Sequence, residues 1–363
     1  MNTTIKNVTV KYNGKIVGYL AEIEPNIIGF QYGNEWLQSS FSISPFSLPL
    51  TSEVFVNRKM TFNGLYGVFW DSLPDGWGEL LVKRLLAKKG INVDTLSSLT
   101  KLTLISKNGL GGLEYEPSQS VEAETLDFNL DEISKEVDAI LNDDAVHDLD
   151  KIYQLGGSSG GARPKAHIRI DDADWIVKFG CRIDPPNVGE KEYATNQLAK
   201  QCGISVNEFA LFPSKLCGGY YGAKRFDRVG CNRKHVISLS ALLETTHRIP
   251  NLDYTHLFYV IQEICVRKED LYEAFRRMCF NVYFGNKDDH GKNFAFIYDE
   301  KLEGYTLSPA FDLTQTPDKI EHEMTVNGAG NPSDDDILAI AQEFKLSLSK
   351  CKDIMMMIKQ KTK

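Results

Sequence analysis

The sequence lacks several features that would place it in a particular class of protein. No apolar run approaches the roughly 20 residues that cross a bilayer, and the N-terminal segment MNTTIKNVTVKYNGK has no apolar stretch of the signal-peptide kind. The 7 cysteines are odd in number and nowhere form CxxC, which argues against a disulfide framework and a zinc ribbon. These absences predict a cytoplasmic protein with reduced thiols.

An excess of positive charge is also missing. Lys and Arg number 41 against 49 Asp and Glu, which gives a net charge of -8, the wrong sign for a chain that holds nucleic acid alone. Any contact with DNA is therefore predicted to come through a partner. Local basic pairs such as Arg267-Lys268 and Arg276-Arg277 are interpreted as solvated helix faces.

The pattern along the 363 residues predicts three regions. Residues 1–100 alternate like strands and end in an amphipathic helix. Residues 101–232 mix strands and one helix around the run from Gly156 to Gly161, which is predicted to be irregular. Residues 233–363 are mainly helical and contain one hairpin. The predicted fold class is α+β, with a small α/β lobe and a helical lobe after a β-rich N-terminal subdomain.

The segment GNKDDHGKNF carries the most informative spacing. Asp288 and Asn293 are five residues apart, as are the base and the Mg²⁺-binding amide of protein kinases, and a predicted hairpin then leads to Asp312. A carboxylate near the nucleophile orients it and accepts its proton, and Mg²⁺ prefers hard oxygen ligands. The order predicts ATP- and Mg²⁺-dependent phosphoryl transfer, with Asp288 as base and Asn293 and Asp312 as metal ligands.

Two neighbours of Asp288 have simpler interpretations. An isolated Asp288-Asp289 pair is typical of a turn or a helix cap, but the kinase-like order of Asp288, Asn293 and Asp312 disfavours that interpretation here. His290 has no second histidine at metal-ligand spacing, so a structural hydrogen-bonding role is favoured over a zinc site.

Lys178 is the single charge in the apolar, strand-like run WIVKF. In kinases such a lysine contacts the α- and β-phosphates, and a carboxylate on the following helix holds it. Glu192 is the best candidate for that carboxylate, and Glu190 is the alternative. A lysine on an exposed edge strand is the other interpretation of Lys178.

The Gly/Ser run before Lys178 could present backbone N–H groups to phosphate. It is not a Walker A loop, because Ala162 and Arg163 stand where that motif needs Lys and Ser/Thr. A flexible linker is the alternative. The segment from Gly109 to Leu113 is interpreted as a turn.

Several segments resemble, in the same order and over nearly the whole chain, the HipA family of bacterial toxin kinases: LPDGWGELLVKRLL, GLGGLEYEP, SSGGARPK, WIVKF, KRFDR, GNKDDHGKNF and SPAFDL. The resemblance implies a two-lobed protein-kinase-like fold with an extra N-terminal β-rich subdomain. The chain departs from the family at Lys224, where relatives often have an acidic residue, and it is shorter than the longer members towards the C-terminus.

The resemblance also implies roles and partners. Ser158 would be the autophosphorylated serine, with Ser159 as the alternative, in a loop that covers ATP and is ejected on modification, which switches the kinase off. The remaining residues assigned to the nucleotide site are Ser159, Gly160, Gly161, Phe226 and Lys292. The implied partners are a protein substrate, such as an aminoacyl-tRNA synthetase, and a HipB-like helix-turn-helix antitoxin through which DNA would be contacted; no membrane contact is expected.

Two other functions remain open from the sequence. A small-molecule kinase would share the Asp, Asn, Asp arrangement and differ in its acceptor pocket. A non-catalytic corepressor would keep the fold without the chemistry, and the presence of Asp288, Asn293, Asp312 and Lys178 argues against it.

Overall fold

The computed structural model describes residues 4–120, 129–246 and 248–363. The chain divides into two compact units. The first contains the residues up to Lys191 together with Glu208–Val236, and the second contains Glu192–Asn207 and Ile237–Lys363. The predicted boundaries at residues 100 and 232 stay a prediction. In the described ranges, no helix is long and apolar enough to cross a membrane.

The first unit opens with an antiparallel five-stranded sheet in the order β4-β3-β2-β1-β5. Asn13 and Gly14 join the first two strands with φ of 46° and 81°, so the hairpin turn that an Asn-Gly pair predicts is confirmed. The elements of this segment are β1 Asn7–Tyr12, β2 Lys15–Glu24, β3 Ile27–Tyr32, α1 Asn34–Ser39, β4 Phe55–Asn57, α2 Gly67–Trp70, α3 Gly76–Lys88, α4 Ser98–Ile105 and β5 Leu113–Glu116, with a 3₁₀ turn at Val93–Thr95.

A second antiparallel sheet, in the order β6-β7-β9-β8, follows two helices. Gly156 is the last residue of the second of these helices, and the N–H of Gly157 still donates to the carbonyl of Tyr153 (2.7 Å). The prediction that the whole run from Gly156 is irregular is therefore wrong by one residue. The elements are α5 Leu130–Leu141, α6 Leu149–Gly156, β6 Lys165–Ile170, β7 Ala173–Lys178, α7 Val188–Gln201, β8 Phe209–Phe212, β9 Tyr220–Lys224, β10 Arg228–Val229 and β11 Asn232–Arg233.

Helix α3 belongs to the core beside the second sheet. Its residues Trp77, Leu81 and Leu85 are buried in one cluster with Ile152 of α6 and Val177 of β7. The i, i+4, i+8 spacing of the three α3 residues places them on one face of the helix. The helix thus supports the second sheet as well as following the first, instead of only closing the β-rich segment.

The second unit is mainly helical, as predicted. The segments FAFIY and GYTLS form the expected antiparallel hairpin, β14 with β15, and β13 pairs in parallel with β16. The elements are β12 Val236–Ser238, α8 Leu239–Leu242, β13 Leu252–Asp253, α9 Tyr254–Ile264, α10 Glu269–Phe284, β14 Ala295–Asp299, β15 Gly304–Leu307, β16 Met324–Thr325, α11 Asp334–Glu343 and α12 Leu348–Lys361, with a 3₁₀ turn at Gly291–Asn293.

The basic pair Arg276-Arg277 in α10 is not a solvated face. Arg277 is 2% exposed, and its guanidinium donates to Glu273 Oε1 (2.9 Å) and to the carbonyl of Ser308 (2.5 Å). Arg276 instead pairs with Glu269 on the outer side (3.0 Å). Adjacent helical residues point about 100° apart, so Arg277 lies in the interior, whereas Arg276, with 19% of its side chain exposed, lies nearer the surface.

Candidate active site

The loop after α10 holds Asp288 and Asn293 against each other. The helix ends at Gly285, whose φ of 81° turns the chain out of the helical path. Asn293, in the 3₁₀ turn, donates from Nδ2 to the backbone carbonyl of Asp288 (2.7 Å). The carboxylate of Asp288 is 41% exposed. The two residues predicted as base and metal ligand thus share one locally closed loop, with the Asp288 carboxylate open to a substrate.

Asp289 is a buried anchor beneath that loop. Its side chain is 1% exposed, and its carboxylate accepts hydrogen bonds from Tyr254 Oη (2.9 Å), His322 Nδ1 (2.8 Å) and the backbone N–H of Glu323 (3.0 Å). Burial, followed by the charge of Asp289, raises the pKa of Tyr254 well above its ordinary value, so this hydroxyl keeps its proton and remains a donor. The turn or cap interpretation, which the surrounding motif already disfavoured, does not describe Asp289.

Lys319 is a neighbour of Asp288 that the sequence did not indicate. Its ammonium lies 2.5 Å from Asp288 Oδ1 and 2.7 Å from Glu323 Oε1. Burial lowers the pKa of Lys319, but the hydrogen bonds to Asp288 and Glu323 outweigh burial and raise it. Because Lys319 is 31 residues from Asp288 in the chain and lies in no recognisable motif, no local spacing could have identified it.

Asp312 follows β15 and has an unusual backbone. Its φ is 52°, in the left-handed region that a residue other than glycine seldom adopts and that is frequent at functional sites. Asp312 lies in the short segment that follows Leu307, the last residue of the hairpin.

The donors present suit a magnesium ion that arrives with a nucleotide. The hydrogen bond from Asn293 Nδ2 occupies the nitrogen of the amide and leaves its oxygen as the group that can bind a metal. Asp312 stays the predicted carboxylate ligand. Mg²⁺ is commonly held by one or two such groups together with phosphates and water. Among the residues that the structure describes, no group of three or more His, Cys, Asp or Glu is placed to hold a metal.

Lys178 is the last residue of β7, an interior strand that pairs with β6 and β9. The alternative interpretation of Lys178 as an edge-strand lysine is therefore wrong. Lys178 pairs in register with Lys165 of β6. The ammonium of Lys178 lies 5.8 Å from the ring centroid of Tyr221, within cation–π range. Glu192 is buried in α7, and its pairing with Lys178 stays a prediction.

The two serines of the Gly/Ser run differ in accessibility. Ser159 is 2% exposed, and its Oγ donates to the carbonyl of Gly156 (2.6 Å). Ser158 is half-buried, and its Oγ lies 3.4 Å from Nδ1 of His167. In this conformation the hydroxyl of Ser158 is the more accessible of the two.

His167 presents an unprotonated nitrogen to Ser158. Its Nδ1 lies 3.2 Å from Arg225 Nη1, and a guanidinium can only donate, so Nδ1 is the acceptor and the ring proton is on Nε2. Burial, followed by the positive charge of Arg225, lowers the pKa of His167 well below its ordinary value. The imidazole is thus neutral near pH 7.

Two family models cover most of the chain. The model described as the HipA N-terminal domain matches residues 8–116, and the model described as the HipA-like C-terminal domain matches residues 157–363. The chain belongs to the HipA family.

Two known proteins similar to the chain are named putative kinases. The chain is similar to "Putative kinase Y4mE" of Sinorhizobium fredii, with 24% identity over 355 residues, which cover 86% of this chain and 78% of that one. It is also similar to "Putative kinase Y4dM" of the same organism, with 30% identity over 164 residues, which span 42% of this chain and 39% of the relative.

A solved structure has the same fold. It is the toxin–antitoxin complex of HipA, HipB and operator DNA from Shewanella oneidensis MR-1, with a TM-score of 0.73 and 18% identity over 98% of this chain and 88% of that chain. The predicted fold class, a two-lobed kinase-like α+β fold with an N-terminal β-rich subdomain, is confirmed.

In this HipA-family chain, the segments GLGGLEYEP and KRFDR meet in one buried ion cluster. Asp227 accepts from Arg225 Nη2 (2.7 Å), Arg228 Nη1 (2.8 Å) and the N–H of Gly111 (2.8 Å), and Arg225 also donates to the carbonyl of Gly109 (3.1 Å). The Gly109 segment, interpreted from the sequence as a turn, is therefore held by interior charges. The same cluster positions Arg225 beside His167.

The other residues assigned to the nucleotide site have fewer distinguishing features. Phe226 is half-buried between Arg225 and Asp227, and Lys292 lies in the 3₁₀ turn after His290. Lys224, where the chain departs from the family pattern, pairs with Glu208 (3.1 Å) near the surface. The roles of Phe226 and Lys292 stay predictions.

Proposed function

We propose that this chain is an ATP- and Mg²⁺-dependent protein serine/threonine kinase. The observation that carries the proposal is the loop in which Asp288 has an exposed carboxylate, its backbone carbonyl accepts the Asn293 hydrogen bond, and the buried Asp289 anchors the adjacent position. In this role Asp288 orients the acceptor hydroxyl and takes its proton, while the hydroxyl oxygen bonds to the γ-phosphorus and the bond to the ADP oxygen breaks. Asn293 and Asp312 hold Mg²⁺.

Residues of the first unit act on the phosphates. Lys178 contacts them, and the backbone of the loop formed by Ser158, Ser159, Gly160 and Gly161 covers them. Ser158 is the site of autophosphorylation, because its hydroxyl is accessible and faces the unprotonated nitrogen of His167, whereas that of Ser159 is bound and shielded. Phosphorylation adds about -1.5 to -2 charges, which favours release of the loop.

The target is a protein of the translation machinery, such as an aminoacyl-tRNA synthetase, and the partner is a HipB-like antitoxin that contacts DNA. Membership of the HipA family and the similarity in fold to the HipA of the Shewanella complex, which contains HipB and operator DNA, support the partner. The net charge of -8 agrees with DNA contact through the antitoxin rather than by this chain.

The proposal is tested by incubating the purified chain with Mg·ATP and mapping phosphopeptides by mass spectrometry, with Asp288→Asn as control. We expect phosphate on the peptide that contains Ser158, and none in the variant. Phosphoproteomics of cells expressing either form then identifies the target. ATP turnover without any phosphopeptide would indicate a small-molecule kinase, and the absence of nucleotide binding would indicate a corepressor.

A further inference from the structure

The Gly/Ser loop rests on the turn Asp75–Gly78, which begins α3 and is called the loop seat below. The N–H of Gly161 donates to the carboxylate of Asp75, and the carbonyl of Gly161 accepts from the N–H of Trp77 (3.0 Å). The φ of Gly161 is 83°, a conformation that favours glycine. Both backbone polar groups of Gly161 are thus bound by the seat.

The two glycines of the seat allow the backbones to touch. A Cβ on Gly78 would collide with the carbonyl oxygen of Ser159, and a Cβ on Gly76 would lie 2.5 Å from the carbonyl oxygen of Gly161 and 2.8 Å from Cα of Ala162. These neighbours are backbone atoms, which cannot move aside as the end of a side chain can. The sequence Asp-Gly-Trp-Gly therefore has the residue types that this contact requires.

The seat also fixes the far end of the loop. Trp77 is 2% exposed, and its Nε1 donates to the carbonyl of Lys165 (3.1 Å), the first residue of β6. The ammonium of Lys165 returns to the carbonyl of Gly160 (2.5 Å). Residues 160–163 are exposed, and a glycine-rich segment loses much conformational entropy when it is ordered. The hydrogen bonds to Gly160 and Gly161 offset that loss.

We propose that the loop seat holds the Gly/Ser loop in its nucleotide-binding conformation, and that Asp75 is a positioning residue of this kinase site. The inference rests on the proposed function. Ejection of the loop has to break the bonds from Gly161 to Asp75 and Trp77, so the seat sets the equilibrium between the bound and the released loop.

The test uses the full chain with Asp75→Ala, which removes the acceptor, and Asp75→Asn, which keeps a side-chain oxygen. Glu79→Gln is the matched control, since Glu79 is an acidic residue one turn further along α3 that pairs with Lys83 (3.2 Å). Hydrogen exchange of the peptide spanning residues 157–164 is measured without nucleotide, and the Kd for Mg·ATP is measured by calorimetry.

We expect Asp75→Ala to speed loop exchange and weaken Mg·ATP binding by roughly ten-fold or more each, because a hydrogen bond to a charged group is lost. Asp75→Asn should fall between Asp75→Ala and the wild type, and Glu79→Gln should match the wild type. If Asp75→Ala does not fold, the asparagine variant decides, with a several-fold change expected in the same direction.

Hydrogen exchange of residues 157–164 at the wild-type rate in both Asp75 variants would show that the loop seat does not hold the loop. Faster exchange with unchanged or tighter Mg·ATP binding would overturn its role in nucleotide binding. If instead the wild-type chain binds no nucleotide, the proposed kinase function fails, and the exchange measurement still reports on the seat by itself.

Discussion

The Gly/Ser loop of the first unit and the Asp288 loop of the second unit are held by opposite means. The first is fixed largely through its backbone, by a turn 86 residues earlier in the chain. The second is fixed through side chains, by a buried network in which Asp289 binds residues 33 to 35 positions away. A loop held at its backbone can leave without disturbing a core, whereas one held by a buried carboxylate is part of the core. The proposed function thus assigns the phosphates to the loop that can move and the base to the loop that cannot.

The largest expected effect is on the rate of phosphoryl transfer, when Asp288 of the second loop is changed. Asp288→Asn should lower phosphoryl transfer by about 10²–10⁴-fold, the usual contribution of a general base, while Mg·ATP binding stays near the wild-type value because the residue acts on the hydroxyl. Single-turnover kinetics and calorimetry measure the two quantities. Transfer at the wild-type rate would remove Asp288 from its role.

Asp289→Ala tests whether the adjacent carboxylate is architectural. We expect the free energy of unfolding to fall by about 3–5 kcal/mol, because three donors, two of them buried, lose their acceptor. Asp288→Ala, at a partly exposed position, is the control and should change it by less than about 1 kcal/mol. Urea denaturation measures both variants, and equal stabilities would show that the loop is not anchored in this way.

The two units also differ in the hydrogen-bond partner of a buried histidine. His322 of the second unit faces the carboxylate of Asp289, whereas Nε2 of His235 in the first unit lies 2.8 Å from the carbonyl oxygen of Ile43. Burial, partly opposed by this hydrogen bond, lowers the pKa of His235 to about 4. Between pH values of about 4 and about 6.5, His235 is protonated in the unfolded chain and neutral in the folded chain. The folded state therefore loses stability as pH falls from about 6.5 to about 4.

His235→Gln keeps a donor for Ile43 but removes the titration. Denaturation across pH 4 to 8 should show a wild-type loss of about 3 kcal/mol attributable to this group, and the variant should lack that part of the slope. Identical slopes in the two proteins would contradict the assignment.

The smallest expected effect concerns Lys319. Lys319→Met removes the cation beside Asp288, and we expect the rate of transfer to fall about ten-fold with little change in nucleotide affinity, the pattern of an interaction that matters in the transition state. Glu323→Gln is the control, since it leaves the Lys319–Asp288 pair in place. A wild-type kcat in Lys319→Met would show that the pair is incidental.

The sequence predicted what depends on local spacing. The five-residue interval from Asp288 to Asn293 was readable because a single loop contains both residues, and the β14–β15 hairpin was readable from two short apolar runs. Lys319 was missed because its contact with Asp288 joins distant segments. The role of Asp289 was not predicted, because two adjacent aspartates look alike in sequence, and only the packing of Tyr254 and His322 distinguishes them.

The same limit applies to the fold. The spacing of Leu81 and Leu85 showed that α3 buries one face, but periodicity does not say against which partner, so its packing with α6 and β7 was not foreseen. The pair Arg276-Arg277 shows the complementary case: charge alone predicted solvent exposure, whereas the helical phase places Arg277 inside, where Glu273 and Ser308 bind it.

The long separation between the loop seat and its loop has a consequence for synthesis on the ribosome. The N-terminal sheet is complete once β5 has emerged, but the buried face of α3 and the indole of Trp77 lack their partners in α6 and β6 until those elements have followed. During that interval the nascent chain carries a folded sheet joined to an apolar helix face that is only partly covered. That face is completed when α6 and β6 pack against it and Gly161 closes the seat.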